Sequence, residues 1–338
     1  MTTDASTIEK LVSACRRYRT PGDPFARVLV TPLFSRPSTL KAVERLKANG
    51  SIVYFDSAGY YVQQDKISYA DLVSALRRTY RENMWADRYV LPDYVPTSKD
   101  SDTAVREKVK QTVRATQRFF LGLPSRIQEK AIPVVHGRSR RDMDECLTAY
   151  FKLGVKTIAF GSLGTVGRNG AGNVVTYQAA EMIRYVTAAA SAEGIRVHLF
   201  GVGVPAVVGL LPELGVGSFD SASWMKAAGF GQVFFPFSRS FSLKYRDGQP
   251  FRRKLSAPLL RRLQRITRHS CRFCASLDEL RSNRIGRMIH NVSCIVESVR
   301  MIERRRVLAI REIYAAGSSR YRARYLMENG QSVPIKQR

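Results

Sequence analysis

Two sets of residues in this chain have types and spacings that could do chemistry. His269, Cys271 and Cys274 fall within the six residues HSCRFC, and His290 follows sixteen residues after Cys274. Thiolate and imidazole are the ligands zinc takes in a tetrahedron, and spacings of one and two residues let a tight loop present three of them while a distant helix closes the fourth. Four protein ligands leave no open position for water, so the metal reading is a structural zinc site. A C-x-x-C pair is also the form of a redox couple, or of two buried cysteines with no metal. Cys294, one helical turn beyond His290, competes for the fourth position, and spacing alone does not choose between them. The second set is Asp56, Asp93, His136, Gly161, Gly203 and Asp220, each at the C-terminal end of its own apolar run.

Those apolar runs are the elements that must position the second set. Strands are expected at RVLVTP, SIVYFDS, RYVLPD, IPVVHG, KTIAFGS, RVHLFGVG, GSFDS and QVFFPF, with helix patterns such as YADLVSALRRTYREN, RDMDECLTAYFKLG and TYQAAEMIRYVTAAASAEG between several of them. Strand and helix in alternation imply an α/β fold of parallel strands joined by crossovers. Eight strands over residues 25–237 suit a (β/α)8 TIM barrel, in which the strand C-termini converge on one mouth. A doubly wound open sheet shares the same periodicity, and taken singly each Asp or Gly is a common turn residue. The expected organisation is an N-terminal segment at 1–24, the barrel at 25–237, a basic zinc-binding subdomain at 238–300, and a basic C-terminal helix and tail at 301–338.

Composition narrows the partners. Lys and Arg number 55 against 28 acids, a net charge of +27, and such an excess attracts phosphate backbones. Arg252, Arg253, Lys254, Arg261, Arg262 and Arg265 are the expected backbone contacts; a solvated helix face is the alternative. No apolar run approaches the ~20 residues that cross a bilayer, and MTTDASTIEK has no secretory pattern. A cytoplasmic protein without a membrane partner is expected, and five cysteines argue against a disulfide framework.

Several segments then carry a family resemblance. FDSAGYYV, at 55–62, resembles the DSGG(Y/F)Q motif of the tRNA-guanine transglycosylases. GVGSFDSASW, at 215–224, is similar to their nucleophile segment G-V-D-x-F-D-C, and HLFGVGVP to the MGVGTP strand before it. IAFGSLG resembles their GGLAVGE loop, VVHG stands where they carry VQGG, and HSCRFC…HN resembles their CxCxxC…HN zinc segment with His269 in place of the first cysteine. These matches are collinear over roughly residues 25 to 300.

The resemblance implies a zinc-bearing TIM barrel and gives roles to residues. Asp220 would be the nucleophile at the sugar C1′, and Asp56 the general acid or base. Asp93 would hydrogen-bond the guanine-like base, and His136, where the family has glutamine, would be a further substrate-binding residue. Gly161, Ser162 and Leu163 would meet the base through their backbone, and Tyr60 would stack on it. The chemistry is coherent, because a retaining base exchange needs one carboxylate to trap C1′ and a separate group to move the proton.

Departures from the motifs imply a branch. SAGY replaces SGGY, and FDSASW lacks both the usual cysteine and the PTR that follows it. The zinc segment is short, and the tail fits no RNA-binding PUA-like domain. The pattern is closer to the DNA-modifying members, which insert a 7-deazaguanine such as preQ0 and occur in phages and in bacterial DNA-modification clusters; the location would then be the host cytoplasm for a phage protein. DNA is thus the favoured partner, with tRNA the alternative and a catalytically inactive nucleic-acid-binding subunit a third reading. A homodimer or an accessory DNA-opening partner is compatible with the chain.

Overall fold

A computed structural model describes residues 4–18, 23–161, 177–243 and 253–304. The described chain clusters into two compact units. One holds Phe25–Gly201 and Pro212–Asp220; the other holds Glu9–Pro24, Val202–Leu211 and the chain from Ser221 onward.

The first unit is built on parallel strands: β1 (Arg27–Val30), β2 (Ile52–Phe55), β3 (Arg88–Val90), β4 (Ala131–Ile132), β5 (Val134–Val135), β6 (Thr157–Phe160), β7 (Arg196–Leu199) and β8 (Ser218–Phe219). They pair in the order β1-β2-β3-β4 and β5-β6-β7-β8, every pair parallel. The expected strand IPVVHG is divided at Pro133, which has no N–H to give a ladder. The residues before it pair with β3 and those after it with β6, while the Pro133 carbonyl accepts from the Ala159 N–H at 2.8 Å.

Helix α1 (Ala5–Arg17) precedes these strands, and all but its first turn belongs to the second unit; α2 (Pro37–Ala48), α3 (Gly59–Val62), α4 (Tyr69–Glu82), α5 (Asp102–Leu121), α6 (Ser125–Gln128), α7 (Arg140–Phe151) and α8 (Tyr177–Ala192) intervene between the strands. Their sequences explain their positions. In α4, Leu72, Leu76 and Tyr80 recur every four residues and are buried, and the Ser68 side chain caps the first turn through the Asp71 N–H. A reciprocal Ser139–Asp142 capping box starts α7. Tyr80 carries α4 onto the sheet, its hydroxyl donating to the Val90 carbonyl at 2.6 Å and the Phe55 carbonyl at 3.3 Å. Those are the last residues of β3 and β2, so one buried phenol pins the strand ends that precede Asp56 and Asp93.

Val90, Ile132, Val134 and Ala159 from successive strands form one apolar layer, and Tyr54 and Phe200 pack against it. Tyr54 of β2, in one four-stranded sheet, also stacks on His198 of β7, in the other, with ring centroids 5.8 Å apart.

The second unit contains α9 (Pro205–Val208), α10 (Ser223–Gly229), α11 (Ala257–Thr267), α12 (Leu277–Ser282) and α13 (Arg284–Glu303), with a small sheet of β9 (Gln232–Val233), β10 (Phe241–Ser242) and β11 (Arg253–Lys254). The eighth expected strand, QVFFPF, is represented by β9, which pairs antiparallel with β10. Pro236 and the left-handed Phe237 (φ 54°) end its extended run. Asn291 of α13 fixes this region: its side chain accepts from the Phe234 N–H at 2.8 Å and donates to the Trp224 and Gln232 carbonyls. No helix among the described residues is long and apolar enough to cross a membrane.

Candidate active site and metal centre

The expected chemical residues of the first unit lie past the C-terminal ends of parallel strands in its two sheets. Asp56 directly follows β2, His136 follows β5, Gly161 follows β6, Asp220 follows β8, and Asp93 lies three residues past β3. The ladder runs one residue further to hold their backbones. The Asp56 N–H donates to the Val30 carbonyl at 2.8 Å, the Gly161 N–H to Val135 at 3.2 Å, and the Asp220 N–H to Leu199 at 3.3 Å.

Asp56 is half-buried, and its Oδ2 accepts from the Thr31 hydroxyl at 3.0 Å and from the Ala58 N–H at 3.4 Å. Burial and the neighbouring Asp93 charge push its carboxyl up from 3.8 to about 6. The Thr31 hydrogen bond opposes that rise, and the Asp220 charge adds to it. Asp56 therefore lies within electrostatic reach of both other carboxylates. Asp93 is buried, its Oδ2 2.8 Å from His136 Nε2 and its Oδ1 accepting from the Ser57 hydroxyl. His136 has no solvent exposure, so it meets Asp93 rather than an open cavity.

Two glycines are needed here for space. A Cβ on Gly59 would stand 2.6 Å from Asp93 Oδ1, and one on Gly161 would stand 2.5 Å from His136 Cε1. The alanine of SAGY sits in the left-handed region at φ 68° and is fully buried. That backbone costs roughly 1–2 kcal/mol for an L residue, and the buried methyl returns about 0.8 kcal/mol, so alanine is tolerated where glycine is the ordinary choice. The tandem tyrosines divide: Tyr61 stacks on Phe34 at 3.9 Å, whereas Tyr60 is 55% exposed.

Asp220 is less enclosed, with Oδ1 accepting from the Gly201 N–H at 2.8 Å. The sequence reading gave no role to His198, whose Nε2 lies 3.8 Å from that same Oδ1. Alternation along RVHL was the available signal, since it turns His198 to the face opposite Val197 and Leu199. Gly203 belongs to the second unit, its carbonyl 3.4 Å from the Ser221 hydroxyl. Ser162, Leu163 and Arg252 lie outside the described residues, and so does the expected tail beyond residue 304.

The second unit gathers the Cys/His set. One ligand atom each from His269, Cys271, Cys274 and His290 lie within 4.8 Å of one another, so the group could hold a metal ion. Cys271 Sγ is 3.5 Å from Cys274 Sγ and 3.4 Å from His290 Nδ1, and His269 Nε2 is 3.1 Å from that nitrogen. A zinc tetrahedron has edges of about 3.3–3.8 Å by the usual bond lengths, so the spacings fit one ion. The outer nitrogens are also engaged, as metal-bound histidines require. His269 Nδ1 meets Glu297 Oε2 at 2.7 Å, and His290 Nε2 donates to the Phe234 carbonyl at 2.8 Å.

The adjacent residues His290 and Asn291 thus take both backbone groups of Phe234. Hydrogen bonding from Cys271 holds the Cys274 thiol well below the usual cysteine range, and Gln264 donates to its sulfur at 3.3 Å. Cys294 is not one of the four: its thiol donates to the Phe234 carbonyl at 3.4 Å and lies 3.9 Å from both His269 Nε2 and the outward His290 Nε2. Lys254, Arg261, Arg262 and Arg265 are exposed on this unit, and Arg253 is in β11.

A family model described as queuine tRNA-ribosyltransferase matches residues 78–308, and the chain belongs to that family. Asp93, His136, Asp220 and the four candidate ligands fall inside the matched span, while Asp56 precedes it. No curated protein matches the chain.

Two predictions arise from this geometry. The folded value of Asp56 is above its unfolded one, so its contribution favours folding below about pH 4 and is lost as pH rises through about 6. Asp56→Asn should therefore gain on the wild type with rising pH, by on the order of 2 kcal/mol above about pH 7, in urea titrations run at acid and alkaline pH; an equal difference at both would contradict the buried-carboxylate account. For the metal, Glu297→Ala should lower affinity roughly 10–100-fold in competition with a chromophoric chelator, while Cys294→Ser leaves it within a few-fold.

Proposed function

We propose that this chain is a guanine transglycosylase that replaces guanine in DNA with a 7-deazaguanine derivative such as preQ0. The observation that carries the reading is the set of three carboxylates, Asp56, Asp93 and Asp220, past the C-terminal ends of parallel strands in two sheets and coupled electrostatically at Asp56. Family membership supports the glycosyl-transfer class. The Tyr54–His198 contact between the two parallel sheets supports closure into a (β/α)8 barrel, whose mouth would be formed by those strand ends.

In the proposed reaction, Asp220 attacks C1′ and forms a carboxylate–sugar bond as the C1′–N9 bond of guanine breaks. The leaving electron pair takes a proton from Asp56, whose value near 6 lets it hold or release that proton around neutrality. The incoming base then gives its N9 proton to Asp56, attacks C1′ and expels Asp220, so two inversions return the original configuration. Asp93 would recognise the base through lone pairs that Ser57 and His136 leave open, making His136 a support for Asp93. Tyr60, exposed beside this turn, would stack on the extruded base, and the backbone of Gly161, Ser162 and Leu163 would meet it.

The Cys/His group would hold zinc, with four protein ligands and a structural role; its chemistry is to fix the fold of its unit. Arg252, Arg253, Lys254, Arg261, Arg262 and Arg265 would contact phosphates, which makes binding strongly salt-dependent. Exchange in tRNA is the second reading, favoured by the description of the matched family. The choice of DNA rests on the departures in FDSAGYYV and FDSASW.

Incubation with labelled preQ0 and either DNA or tRNA, followed by nucleoside digestion and mass spectrometry, separates the readings. Label in deoxynucleosides is expected. Label only in tRNA would transfer the proposal to the second polymer, and label in neither would end it.

A further inference from the structure

His198 is buried at 4% exposed, between Val197 and Leu199 of β7, and the exchange chemistry above does not use it. Tyr54 stacks on one side of its ring and Phe200 meets it edge-on at 4.8 Å, so the imidazole has little freedom to turn. Its Nδ1 lies 2.9 Å from the Ser218 hydroxyl. Its Nε2 has no hydrogen-bond partner among the described residues, and the nearest charged atom is Asp220 Oδ1 at 3.8 Å.

A buried ring nitrogen left without a partner costs free energy, and a lone pair turned toward a carboxylate costs more. The arrangement that avoids both has the Ser218 O–H donating to Nδ1, which leaves the ring proton on Nε2, aimed at Asp220. Only about 1 Å of closure brings that contact to an ordinary hydrogen-bond length, and active-site contacts commonly tighten when substrate binds.

We propose that His198 is a positioning residue for Asp220, its Nε2–H closing on Oδ1 during base exchange; this rests on the reading of Asp220 as the nucleophile. The geometry separates the two carboxylate oxygens. The Gly201 N–H already binds Oδ1, and His198 faces the same atom, so both protein donors fall on one oxygen. Oδ2 has no donor among the described residues and is the oxygen offered to C1′. In the resulting ester Oδ1 is the carbonyl oxygen. When the incoming base attacks C1′, the C1′–Oδ2 bond breaks and its electron pair returns to the carboxylate. The two donors on Oδ1 then stabilise the charge that reappears, which speeds departure as well as fixing the rotamer for attack. Ser218 acts at one remove by fixing the ring proton.

The test is single-turnover release of tritiated guanine from DNA and, in parallel, from tRNA, using the full chain. His198→Ala should slow release roughly 10–100-fold, while guanine affinity and the thermal midpoint stay close to wild type. His198→Gln puts an amide N–H near the position of Nε2 and should recover most of the rate. His198→Asn can reach Ser218 only and should not. Equal recovery by Gln and Asn, or loss of rate that tracks loss of stability, would overturn the positioning role. An inactive Asp220→Ala beside a fully active His198→Ala would remove this inference alone. Guanine release by Asp220→Ala, or none by the wild type on either polymer, would remove the nucleophile reading and this inference with it.

Discussion

Like charges gathered at the C-terminal ends of parallel strands set the terms for the first unit. Asp56 after β2 feels both Asp93, after β3 of the same sheet, and Asp220, after β8 of the other sheet. The chain answers the repulsion unequally. Asp93 is buried with hydrogen bonds to both oxygens, Asp220 keeps a backbone donor and partial contact with solvent, and Asp56 is left with the raised affinity for a proton. Three identical side chains thereby acquire three chemical characters. That division is what a two-step glycosyl exchange requires, with one group to recognise, one to attack and one to carry the proton.

The metal candidates obey a different constraint, because their ligands must be aimed before an ion arrives. Glu297 and the Phe234 carbonyl each occupy one imidazole nitrogen and leave the other facing the two sulfurs. Asn291 repeats the attachment to Phe234 from the next position of α13. The histidine–asparagine pair thus links the candidate metal centre to β9, and disturbance of either should be felt by the other.

Much of this was legible in sequence because the signals were local. Asp56, His136, Gly161 and Asp220 terminate short apolar runs, and each run is a strand with that residue directly after it. The division at Pro133 was written in the missing N–H. Glu297 was also within reach, since 290, 294 and 297 share one face of a helix. What sequence could not give depended on contacts between remote strands. Alternation turns His198 away from Val197 and Leu199, but what it meets on that face, Tyr54 and Asp220, comes from other strands. The opposite fates of Tyr60 and Tyr61 were likewise settled by Phe34, a residue of another segment. The antiparallel pairing of β9 followed from β10, which no pattern had marked as a strand.

The central claim is that Asp220 forms the covalent bond to the sugar. The most direct measurement is to quench the chain with guanine-containing polynucleotide in the absence of a competing base, digest protein and nucleic acid, and map the modified peptide by mass spectrometry. The account predicts a pentose-bearing mass on the peptide containing Asp220 and none on that containing Asp56. An adduct on Asp56, or efficient exchange by a chain in which Asp220 is alanine, would contradict it.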